Sequence, residues 1–144
     1  MRVYKEVLKF KKKYSGTLAF RLKEHSEVLE KHLNPGEKIL YVFTGQKNQI
    51  SIALPNTFVV ALTNKRLLFA RKRLLFGYFF YAITPDMFND LKVSSGIIWG
   101  KIIIDTVKEL AYISNIDKKA LDEIETQITE YMMEEKKKYP LKKD

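Results

Sequence analysis

The feature that most constrains this chain is a change of period at Asn34-Pro35-Gly36. Before it, apolar residues recur every three or four positions. Val3, Val7, Phe10 and Tyr14 form one set; Leu18, Leu22, His25, Leu29 and Leu33 form another. That spacing gathers each set on one helical face. Ser15-Gly16 separates the two sets, and Ser15 or Thr17 is available to cap the second helix. Pro35 disfavours helix at the residue before it, and Gly36 permits the turn that follows. Helix is therefore expected over residues 3–33, broken once.

After the break, β-branched and aromatic residues come in short runs: 38–44, 57–63 (TFVVALT), 67–70 (LLFA), 74–83 (LLFGYFFYAI), 90–94, 97–105 (IIWGKIIID) and 107–113. Seven such runs at close spacing predict antiparallel hairpins in a sandwich or barrel. No interval between them is long and periodic enough for the crossover that a parallel pair needs. Thr63-Asn64-Lys65 and Ser94-Ser95-Gly96 supply turn chemistry. The longest connection, 46–56, carries Lys47, Ile50, Ile52 and Leu54. Connections of that length are often functional. A last helix is predicted from about Asp117 to Lys137, with Asp117 as N-cap. Its apolar stripe is Leu121, Ile124, Ile128, Tyr131 and Met132. Such a stripe must pack on something, and one end of a small barrel needs a plug.

Three segments carry a more particular pattern. Gly36-Glu37-Lys38-Ile39 opens the first strand; VALTNKRLLF over 60–69 forms the second hairpin; Gly100-Lys101-Ile102-Ile103-Ile104 lies in the sixth strand. In this order and spacing they resemble the bacterial pleckstrin-homology families, most closely the YokE-like group, over about residues 33–132. The resemblance implies a mainly β fold with helices: a partly open barrel of two near-orthogonal antiparallel sheets, seven strands in all, capped by the C-terminal helix. It divides the chain into an N-terminal helical extension (1–33), the PH-like domain (34–135) and a basic C-terminal tail (136–144). It also implies a binding or scaffold module. Eukaryotic relatives hold phosphoinositide head groups through basic residues around the first two strands. Here Lys47 is the only basic residue between Lys38 and Lys65, so the pattern departs at that place.

Charge and absent chemistry narrow the function. The net charge is +9, shared between residues 1–36 and 37–116 rather than held in a tail. That sign favours polyanions such as acidic lipid surfaces or nucleic acid, and it also serves solubility. There is no cysteine, which removes disulfides and thiolate sites. His25 and His32 stand seven apart, not the three or four of a helical metal pair. No nucleophile elbow, P-loop or zinc-protease motif occurs, so neither a catalytic residue, a metal site nor a cofactor is expected. The N-terminus intersperses Lys5, Lys9 and Lys11 to Lys13 among its apolar residues, leaving no signal-type apolar core; a cytoplasmic location is expected.

Two groups of candidate contact residues remain. Lys47, Lys65, Arg66, Arg71, Lys72 and Arg73 are candidates for holding anions, against the plainer account of solvated turns. Phe76, Tyr78, Phe79 and Phe80 are candidates for an interface. Their run does not alternate as a half-exposed strand should. One face must meet the core, and the other needs the N-terminal helices or another subunit to cover it. The reading is a non-catalytic module acting by protein contact, self-association included. The alternative is an adaptor for anionic surfaces, with membrane ahead of nucleic acid. Trp99, among isoleucines, is expected in the core.

Overall fold

The computed structural model describes residues 1–48 and 55–140. Ile50, Ile52 and Leu54 of the long connection, and residues 141–144 of the tail, lie outside the described residues. The chain forms two helices, α1 (Arg2–Lys13) and α2 (Leu22–Lys31). Seven strands follow: β1 (Ile39–Gln46), β2 (Thr57–Thr63), β3 (Leu67–Lys72), β4 (Tyr78–Ile83), β5 (Phe88–Ser95), β6 (Gly100–Thr106) and β7 (Leu110–Ile116). The last helix, α3, is Leu121–Lys136. The order across the sheet is β4-β3-β2-β1-β7-β6-β5, antiparallel throughout.

The sheet bends where β1 meets β7, joined by the single pair Gln46 and Ser114. Gly45 makes that crossing tight. A Cβ there would stand 2.7 Å from Ile113 Cγ2 and 2.9 Å from the Ser114 carbonyl. β1–β4 form one wall and β5–β7 the other. Between them Phe43, Phe69, Phe88, Ile102, Ile104 and Ile113 build the inner core, and α3 adds Leu121, Ile124, Ile128 and Met132. The expected plug is therefore present. Its closeness is visible at Gly100, where a Cβ would lie 2.6 Å from Leu121.

A second core lies on the far side of the first wall. Val3 and Val7 of α1 and Val28 and Leu29 of α2 pack on Val42, Val59, Ala61, Leu68 and Ala70. Both faces of β2 are buried, all seven residues of it. The segment 14–21 links the two helices and is not itself helical. Leu18, expected on a helical face, instead joins strand ends: its N–H donates to the Asn115 carbonyl (2.8 Å), and its carbonyl accepts from Gln46 Nε2 (2.8 Å). Asp117 caps a short 3-10 turn before α3, accepting from the Lys119 N–H, so α3 begins later than predicted.

Two further expectations are corrected. The run 74–83 is not one strand. Gly77 adopts φ +74°, and the Arg73 N–H donates to its carbonyl at 3.0 Å, so residues 73–77 form the β3–β4 turn. Trp99 is not a core residue either. It is half-buried beside the β5–β6 turn, with its indole N–H donating to the Gly16 carbonyl at 3.1 Å.

Candidate functional site

The β3–β4 hairpin gathers most of the candidate residues. Pairing runs from Leu67 with Ile83 to Lys72 with Tyr78, so side chains alternate between the two faces of the wall. Phe80 and Tyr78 point outward, towards α2. The His32 ring stacks on Phe80 at 4.1 Å between centroids and meets Tyr78 edge-on at 5.0 Å. Phe79 and Tyr81 face inward. Tyr81 stacks on Phe69 at 4.5 Å, and Phe79 lies 6.4 Å from Phe58. The chain's own helix thus covers the outer face in part. The turn is left bare: Leu74, Leu75 and Phe76 are 74%, 80% and 81% exposed.

Three of the six basic candidates meet near this turn. Lys47 Nζ stands over the Tyr81 and Phe58 rings at 5.3 and 5.8 Å, and the Arg73 guanidinium over Phe79 at 5.4 Å. Arg71 Nη1 donates to the Thr57 carbonyl at 3.1 Å. Burial, and then the charge of Arg21, lower the Arg71 pKa. Arg71, Arg73, Leu74, Leu75, Phe76 and Phe79 line a groove of about 460 Å³ with Asn56. Burial, with Glu109 second, raises the pKa of the Tyr81 phenol, so it stays neutral.

The other three lie elsewhere. Lys72 sits on the α2 side; its N–H donates to His25 Nδ1 (2.8 Å) and its carbonyl accepts from Arg21 (3.2 Å). Lys65 and Arg66 occupy the β2–β3 turn, at the opposite end of β3. Lys65 is exposed. Arg66 is engaged: Nε and Nη2 each reach a Glu37 carboxylate oxygen at 3.0 Å, and Nη2 also reaches the His32 carbonyl at 2.8 Å. Burial alone would raise the Glu37 pKa. Arg66, the Asn34 N–H and the Thr63 hydroxyl outweigh it and hold the carboxyl below its ordinary value. This fork ties α2, β1 and β3 together.

A pattern of this kind matches a known family. The family model described as bacterial PH domain fits residues 33–130. The chain belongs to the bacterial PH domain family. A solved pleckstrin homology domain from Shewanella amazonensis SB2B is similar at 12% identity, over 73% of this chain and 82% of that one, with a TM-score of 0.49. No curated protein matches the chain. The family match begins after α2, so both N-terminal helices lie outside the matched residues. No helix among the described residues is long and apolar enough to cross a membrane.

Sequence reasoning missed two parts of the site. One is the platform of Phe58 and Tyr81 under Lys47: neither run alternates in polarity, so the sequence carries no sign of which aromatic rings face Lys47. The second was His32, which follows α2 and stacks on Phe80. A histidine at a helix end carries no sequence signal for that contact.

Proposed function

We propose that this PH domain is a non-catalytic binding module whose contact element is the β3–β4 hairpin, and that its partner is a protein. One observation carries the reading: three consecutive apolar side chains, Leu74 to Phe76, stand in solvent at a turn whose backbone is fixed by Gly77. Clustered exposed apolar residues mark contact sites. The TNKRLLF run over 63–69 supports placement within the YokE-like group.

A second reading, docking on an acidic bilayer, is favoured by Arg71 and Arg73 lining the same groove as the apolar turn. Such cations contribute about 1 kcal/mol each near an anionic surface. Flotation with vesicles of acidic phospholipid separates the two. Protein contact expects the chain to stay in the aqueous phase at low salt. Flotation that fades with salt, and is lost when Arg71, Lys72 and Arg73 are all replaced by Ser, overturns the protein reading in favour of the bilayer.

A further inference from the structure

The free side of β4 specifies a partner more closely. Among the described residues no strand pairs with β4 on the side away from β3. The β3–β4 bond pattern fixes which backbone groups are free there. Arg73 donates to Gly77, so 73 and 77 form a hydrogen-bonded pair, and alternation makes 71/79, 69/81 and 67/83 the next such pairs. The backbone groups of Tyr78, Phe80 and Ala82 therefore point outward, unpaired. A strand edge of this length without a charge is a template for another strand.

The charges say which strand. Each copy carries +9, so a second copy is admitted only where the meeting strands carry no charge of their own. β4 reads YFFYAI and is uncharged. Resting on the hairpin reading above, we infer that the partner is a second copy of this chain, joined by antiparallel pairing of the two β4 edges about Phe80. Phe80 then lies opposite Phe80, and Tyr78 opposite Ala82. A two-fold contact needs one self-complementary patch, and this register supplies it. At its ends it brings the β3–β4 turn of each copy, with Leu74 to Phe76, towards the Thr84 and Pro85 that follow β4 of the other. A groove of about 220 Å³, with Tyr81, Ile83 and Met87 in its lining, lies on that same side and receives the apolar turn.

The chain has no cysteine, so single cysteines test the register cleanly. Tyr78→Cys and Ala82→Cys chains are prepared separately and mixed under mild oxidant. The paired Cα atoms would lie about 5.5 Å apart, within disulfide reach. Covalent dimer is expected in the mixture and in neither variant alone. Light scattering of wild type should approach twice 16.9 kDa with concentration and rise with salt. Tyr78→Pro, which removes an outward N–H at the first residue of the strand, should return it to monomer. Cross-linking of either variant alone overturns the register, and a mass fixed at 16.9 kDa up to millimolar concentration overturns the second copy as partner. Neither result touches the hairpin reading, which falls separately on vesicle flotation.

Discussion

The two walls of the barrel treat their outer faces differently. In the wall of β1–β4, β2 is buried on both faces and β3 nearly so, under α1 and α2. In the wall of β5–β7, β6 alternates strictly between buried and half-buried residues, and its outer face meets solvent. One wall behaves like a sheet inside an α/β protein, the other like a half-solvated antiparallel sheet. The helices that precede the family's boundary are therefore half of a core, not an appendage. Without them Val59, Ala61, Leu68 and Ala70 would form an exposed apolar patch.

The sharpest attempt to break this contrast places a carboxylate on each outer face. Leu68→Asp puts an unpaired charge between β3 and the helices, and a loss of more than about 4 kcal/mol is expected. Ile103→Asp, on the open wall beside Lys92, should change stability by less than about 1 kcal/mol. Urea unfolding followed by circular dichroism compares them, and equal losses would mean that the helices do not seal the first wall.

A smaller effect reads the same interface through pH. His25 lies fully buried between α2 and β3. Burial first, then the charges of Arg71 and Arg21, lower its pKa from 6.5 to about 4. The unfolded chain takes up that proton below pH 6.5 while the folded chain does not, so stability is lost as pH falls from 6.5 towards 4. The expected loss is about 3 kcal/mol, and His25→Gln should remove it from the pH profile. An unchanged profile in that variant would place the acid sensitivity elsewhere.

The smallest effect concerns the plug behind the open wall. Gly100→Ala drives a Cβ against the buried side chain of Leu121. About 1–2 kcal/mol of overpacking is expected in the same urea assay. A neutral result would show that α3 stands off β6 more loosely than its packing indicates.

Much of this was legible in the residues. The seven strands and closing helix follow from short β-branched and aromatic runs, turn chemistry and one amphipathic stripe, and 57–63 matches its strand end to end. What failed did so for local reasons. Leu74, Leu75 and Phe76 read as strand because composition carries no trace of the Gly77 conformation that closes the turn. Leu18 continued a helical spacing, yet the backbone partners it meets, Gln46 and Asn115, come from distant parts of the chain. Trp99 is large and apolar, but its N–H has a partner only at the rim. Of the basic candidates, sequence grouped Arg66 with Arg71 to Arg73. Only the tertiary position of Glu37 shows that Arg66 is held by a buried carboxylate.

The segment 14–21 has a consequence for how the chain is made. The Gly16 and Thr17 groups bond to Asp117, 101 and 100 residues later, and Leu18 waits for Asn115. Residues 16–18 cannot settle on the ribosome until Asn115 and Asp117 have followed. The helices α1 and α2 gain their wall earlier, once β3 has been made, so the link between them is expected to close after the two helices that it joins.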